Sequence, residues 1–196
     1  MRSPLIITET CMGNQYYSVE DYMFNQRELV LDESVNAESM ANMITQFRYL
    51  DRIDPGKEIT LYITSPGGEV TSGLAFYDVI RMAESPVKTV CIGTAASMGA
   101  ILFLAGDERL MTKHSKIMIH DPSISMGSTP SKALAVKETL ESIMKTREDL
   151  ARIIAERTGK SLRTIYSKTK GDAYFDAREA IDFGLATGIL EKHAEL

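Results

Sequence analysis

A single serine, Ser97, stands in the stretch GTAASMGA (Gly93 to Ala100) among residues with almost no side chain. Small residues permit a sharp strand-to-helix turn and close backbone approach, so a hydroxyl there can be aimed at a substrate as a nucleophile. The same composition also suits two elements that simply pack tightly. A serine attacks only if a base takes its proton, an acceptor orients that base and aligned donors receive the developing oxyanion. Of three histidines, His193 falls in the C-terminal tail and His114 in the polar stretch TKHSK, and both read as solvated surface. His120 ends the apolar run KIMIH; standing alone it would read as a satisfied core histidine. Two carboxylates compete as its acceptor. Asp172, in KTKGDAYF, follows a glycine and precedes an apolar pair, a setting that also suits a turn or cap. Asp121 adjoins His120, but successive strand residues point to opposite faces, which turns Asp121 away from whatever His120 serves. For donors, Gly67 and Gly68 in SPGG let the backbone approach a ligand closely, or form a plain turn. The Met98 amide opens the helix expected after Ser97, where unsatisfied N–H groups and the helix dipole favour negative charge.

These side chains are distant in sequence, so the intervening elements must gather them. In EITLYIT, Ile59, Leu61 and Ile63 alternate with Thr60, Tyr62 and Thr64, a strand pattern ended by SPGGEV. A helix through SGLAFYDVIRMA, a strand in SPVKTVCIG and a helix in SMGAILFLAG follow, and KIMIHDP offers a third strand. Strand, small-residue turn and helix thus recur, the signature of an α/β fold with a largely parallel sheet. Ligand sites in such folds gather at the carboxyl ends of strands, and Ser65 to Gly68, Ser97 and His120 all sit there. Upstream, Met40, Met43, Ile44 and Phe47 mark an amphipathic helix over 39–50. Residues 1 to about 20 show no clean period, and CMGNQYYS reads as a mobile loop.

From Pro130 to Arg157 the chain has no glycine and no internal proline; the cap candidates Ser128 and Thr129 precede Pro130, and Gly159 suits the stop. At about 1.5 Å per residue such a helix approaches 40 Å. Its apolar positions Leu140, Ile143, Ile153 and Ile154 need cover, either from another subunit or by lying across the domain. In DAREAIDFG, Asp176 and Glu179 form a variant capping box, and Gly184 can end the helix.

With 196 residues, 44% hydrophobic and 25% charged, the chain reads as one globular domain over residues 1–196. A net charge of −5 without a basic block argues against nucleic-acid binding. Cys11 and Cys91 stand far apart without a Cys/His cluster, so neither a disulfide framework nor a zinc site is supported, and a reducing, cytoplasmic setting fits. SPLIITET is too short and too soon polar for a secretory segment, and no run reaches the roughly 18 apolar residues of a membrane span. The expectation is a soluble chain without a membrane partner; no metal or organic cofactor is indicated.

Taken in order, SPGGEVTSGLAFYD, GTAASMGA, KIMIHDP and DAREAIDFGL resemble the motifs of the Clp protease proteolytic subunits, the ClpP-type serine peptidases, over about residues 18–190. The resemblance implies a crotonase-like α/β spiral of β-β-α units. A protruding handle helix would lie in about residues 123–158 and an N-terminal axial segment in about residues 1–20. It implies Ser97 as nucleophile, His120 as general base, Asp172 as its orienting acid, and the amides of Gly68 and Met98 as the oxyanion hole. It further implies an endopeptidase that degrades unfolded proteins to short peptides inside two stacked heptameric rings joined through the handle. Substrate would extend as a strand beside the segment after His120. A separate Clp-type AAA+ unfoldase would supply ATP hydrolysis, since this chain has no GxxxxGK[ST] loop, and Tyr62, Met82 and Ile92 fall where the family docks that partner.

Four departures stand out. Lys170 and Gly171 replace an acidic-Arg pair that many members use across the ring-ring interface. Asp121, Pro122, Ser123, Ile124 and Ser125 replace a glycine-rich run, Thr60 replaces an aromatic often found in the docking pocket, and CMGNQYYSVEDYMFNQ matches poorly. They point to a specialised paralogue working in mixed rings with a second ClpP-type subunit, or to a ring-forming subunit with little activity of its own. The Ser/His/Asp set argues against the inactive reading. It argues equally against crotonase-type acyl-CoA hydratases, which commonly use carboxylates for acid–base work.

Overall fold

The computed structural model describes residues 4–123 and 132–191. It opens with two antiparallel strands, β1 (Leu5–Thr10) and β2 (Gly13–Ser18). The expected mobile loop at CMGNQYYS is therefore a hairpin: the Thr10 hydroxyl donates to the Gly13 carbonyl at 2.7 Å, and Gly13 takes a φ of 110°. Every residue of the pair is exposed or half-buried, so neither face carries the apolar stripe that alternation would reveal. Helix α1 (Val19–Asn25) follows on a capping box between Ser18 and Asp21.

The chain then alternates through β3 (Glu28–Leu31), α2 (Ala37–Ile53), β4 (Ile59–Ser65), α3 (Val70–Arg81), β5 (Val87–Ala96) and α4 (Met98–Leu104). The amphipathic helix expected over 39–50 is α2, which buries Met40, Met43, Phe47 and Leu50. Next come β6 (Glu108–Thr112), β7 (Lys116–Ile119) and α5 (Ala133–Thr158), and finally α6 (Leu162–Thr169), β8 (Ala173–Phe175), α7 (Ala177–Phe183) and β9 (Gly188–Leu190). Strands β3, β4, β5, β6 and β9 lie side by side, all parallel; β7 pairs with the far end of β5 and, antiparallel, with β8. Elements cover both faces of β4, so Thr60 and Tyr62 are buried along with Ile59, Leu61 and Ile63. This is the α/β arrangement expected of a crotonase-like chain.

Strand β5 is the pivot. Its first half, Lys88 to Cys91, pairs with β6, and its second, Thr94 to Ala96, with β7. Between the pairs Ile63–Cys91 and Ser65–Ala95, Thr64 alone faces Ile92, Gly93 and Thr94. Extra residues in one strand bend it; here the bend swings the end of β5 off β6 and onto β7.

Helix α5 has 26 residues, about 39 Å at ~1.5 Å each. Its later turns bury Leu150, Ala151 and Ile154, while Leu134, Leu140 and Met144 on its earlier turns are exposed. The expected cap at Ser128, Thr129 and Pro130 lies outside the described residues, and Gly159 closes the helix in the left-handed conformation. Helix α7 starts on the capping box of Asp176 and Glu179 and ends at Gly184.

Two buried guanidiniums tie loops to this frame. Arg27 donates to the carbonyls of Leu50 and Lys57, each at 2.8 Å, and Arg109 to that of Leu185 at 2.8 Å. Burial pulls the Arg109 pKa down, and burial pushes the Cys91 thiol up to about 11. Cys11 is exposed. No helix among the described residues is long and apolar enough to cross a membrane.

Candidate active site

Strand β5 runs into Ser97, whose backbone has φ 53° and ψ −120°. An L-residue held in so sparse a region costs on the order of 1–3 kcal/mol and persists only where its surroundings impose it. Both sides do so. The Ser97 N–H donates to the Met118 carbonyl on β7 at 2.9 Å, and the Ser97 carbonyl accepts from Ala100 and Ile101 in α4 at 3.0 and 3.3 Å. Gly67 passes so close to this turn that a Cβ there would lie 2.5 Å from the Ala96 carbonyl oxygen and 2.7 Å from the Met98 nitrogen. Both readings of the small-residue run therefore hold: it allows tight packing, and it leaves one hydroxyl projecting from a sharp strand-to-helix turn.

Strand β7 lies parallel to the end of β5, with Met118 opposite Ala96. Two residues on, His120 reaches over the turn, and its Nε2 lies 2.9 Å from Ser97 Oγ. Strand β8 runs antiparallel to β7, with Ala173 opposite Ile119. One step beyond the end of that ladder, His120 Nδ1 and Asp172 Oδ1 lie 3.0 Å apart. Hydroxyl, imidazole and carboxylate thus form one hydrogen-bonded chain. With the proton on Nδ1, the imidazole donates to Asp172 while Nε2 accepts from the Ser97 hydroxyl, the polarity a general base needs. The His120 side chain is 26% exposed and that of Asp172 59%, so the chain opens to solvent at its carboxylate end.

The rival Asp121 points elsewhere, as strand alternation requires: its carboxylate accepts from Arg147 and Thr169. His114 is exposed between β6 and β7, and His193 lies outside the described residues. Gly68 forms an isolated parallel bridge with Val35. That bridge uses the flanking groups, Val35 N–H to the Gly67 carbonyl at 2.9 Å and Glu69 N–H to the Val35 carbonyl at 2.8 Å. The N–H of Gly68 itself therefore faces the opposite edge. Its φ is 152°, and any Cβ would overlap the Val35 carbonyl oxygen, so glycine is the residue that fits. Met98 is the first residue of α4, and its amide has no acceptor within the helix.

Beside Ser97 opens a narrow apolar pocket of about 30 Å³, lined in part by Val70, Met98, Ile101, Ile119, Leu150 and Ile154. Periodicity marks Ile154 as needing cover; Ile101 and Leu150 carry no signal that separates them from ordinary core residues. A wider groove shares Val70 and Pro122 with this pocket and follows α5 past Glu138 and Ser142. Of the positions associated with a docking partner, Met82 is 73% and Ile92 45% exposed, the latter lifted out by the β5 bulge, whereas Tyr62 is buried with Val90 and Leu110. Burial pushes the Tyr62 pKa upward. Among the described residues, no group of three or more His, Cys, Asp or Glu side chains is placed to hold a metal ion. A family model for Clp protease matches residues 11–193, nearly the whole chain.

Proposed function

Because the chain belongs to the Clp protease family and is thereby a peptidase, we propose that it is a serine endopeptidase degrading unfolded proteins by acyl transfer through Ser97. The observation carrying this reading is the unbroken chain from Ser97 Oγ through His120 to Asp172, at 2.9 and 3.0 Å. In the proposed mechanism His120 Nε2 takes the hydroxyl proton as Oγ attacks the scissile carbonyl carbon. The Gly68 and Met98 amides hold the resulting oxyanion. The proton passes to the departing amine, and water, deprotonated by the same imidazole, hydrolyses the acyl-enzyme. The apolar pocket favours an apolar side chain at the residue whose carbonyl is attacked; the flexible thioether of Met98 can yield to widen it.

The exposed Leu134, Leu140 and Met144 on α5 suit a helix that packs between two stacked heptameric rings, so that cleavage occurs in an enclosed chamber. Met82 and Ile92 offer exposed apolar side chains for a Clp-type AAA+ unfoldase. With Lys170 and Gly171 at the expected ring-ring contact, mixed rings with a second ClpP-type subunit are part of the proposal.

Fluorophosphonate labelling of the purified chain, followed by mass spectrometry and sizing of the same sample, tests the reading. The expected result is a single adduct on Ser97; labelling in a ring-sized particle of this chain alone would remove the mixed rings from the proposal, and no labelling in a small species would mark a subunit that needs its ring partner. Intact rings without any adduct would replace the serine-peptidase reading with a scaffolding role. Gly68→Ala supplies an independent check on the oxyanion donors. The added methyl displaces the loop from Val35 and takes the amide with it, so kcat for a fluorogenic peptide should fall on the order of 100- to 1000-fold. A fall below threefold in an assembled variant would remove Gly68 from the mechanism.

A further inference from the structure

We propose that Asp121 is a positioning residue, clamping the open end of the β7–β8 ladder immediately beyond His120 and Asp172; the inference rests on the serine-peptidase reading above. Strand β8 has three residues, and its last ladder pair is Ala173 with Ile119. The His120–Asp172 contact therefore hangs one step past the end of a short, partly exposed ladder, where strands fray.

Asp121 closes that end from the other side. Its N–H donates to the Thr169 carbonyl at 2.7 Å, and its Oδ1 accepts from the Thr169 hydroxyl at 2.6 Å. Thr169 is 3% exposed, ends α6 and lies three residues before Asp172. The second carboxylate oxygen accepts from Arg147 Nε on α5 at 2.6 Å, and that guanidinium in turn lies over the Tyr166 ring at 4.3 Å. The acidic side chain is 29% exposed and its partner 26%, so the bond is partly shielded from water. Between Thr169 and Asp172, Lys170 is exposed and a Cβ on Gly171 would meet nothing within 4 Å, so neither is braced by packing of its own. The catalytic pair is thus bracketed, by the ladder on one side and by the Asp121 clamp on the other. Without the clamp, the Asp172 segment is free to swing off the imidazole.

The test compares Asp121→Asn, Thr169→Val and Thr169→Ser with wild type, each as the assembled particle isolated by size. Asp121→Asn and Thr169→Val should lower kcat about 10- to 100-fold, with KM within about twofold and Ser97 phosphonylation slowed by the same factor as kcat. Thr169→Ser, which keeps the hydroxyl, should restore most of the rate. Arg152→Ala, which breaks only the exposed pair with Glu148 on the same helix, should change nothing. In an Asp172→Asn background, Asp121→Asn should cost less than about twofold more, because the contact it positions is already lost. Unchanged kcat in assembled Asp121→Asn and Thr169→Val, or losses that multiply fully with Asp172→Asn, would overturn the clamp. Absence of a Ser97 adduct in wild type would instead overturn the serine-peptidase reading itself.

Discussion

Ser97→Ala should leave a folded, assembled particle whose peptidase kcat is lower by on the order of 10⁴- to 10⁶-fold. In the proposed mechanism the substitution removes the atom that forms the acyl bond, and the donors at Gly68 and Met98 can then only polarise a carbonyl for attack by water. Its structural consequences are small. The hydroxyl bonds to His120 Nε2, which is part-exposed and can turn to solvent, and alanine experiences the same φ of 53° as serine. Stability should therefore change by no more than about 0.5 kcal/mol. Steady-state hydrolysis of a fluorogenic peptide, paired with a thermal melt, separates the two effects. Residual activity above one-hundredth of wild type, with an unchanged melt, would show that another group attacks.

Asp172→Asn should lower kcat by about 10³- to 10⁴-fold while leaving KM within a few-fold. The carboxylate accepts from His120 Nδ1 at 3.0 Å and so selects the tautomer with a free Nε2 lone pair. An amide can present its NH₂ to Nδ1 instead. The imidazole then carries its proton on Nε2 and points a donor at a hydroxyl that needs an acceptor. Stability should be little affected, since the side chain is 59% exposed. A kcat loss below tenfold would mean that His120 keeps its orientation without Asp172, and the clamp proposed for Asp121 would lose its purpose along with it.

Ser97 and His120 stand out in the sequence because each closes an apolar strand, whereas Asp172 competes with Asp121 and is singled out only by the resemblance to ClpP-type peptidases. The convergence of the three leaves no such mark. It depends on the bulge at Ile92 to Thr94, which bends β5 toward β7, and on the three-residue β8, whose pair of Ala173 with Ile119 leaves the Asp172 side chain within reach of His120. Neither feature repeats often enough to make a period. The helices α2, α5 and α7 were legible from apolar spacing and from caps such as Asp176 and Gly184. By contrast β3, β6 and β9 have only three to five residues each, and β1 and β2 bury no face. Asp121 illustrates a different loss. Alternation correctly turned it away from the imidazole, but nothing local signals that Arg147, a helix away, and Thr169 converge on the other side. The carbonyl-bound guanidiniums of Arg27 and Arg109 leave no sequence signal for the same reason, since their partners are scattered backbone atoms.

The turn at Ser97 places a side chain where the backbone would relax with none. Drift judged by thermal tolerance alone would favour glycine there, and each such replacement would yield a sturdier and inert chain. Directed evolution of this protein for heat resistance thus has a built-in false optimum at the nucleophile proposed for it, and a screen that does not score turnover in every round will find it.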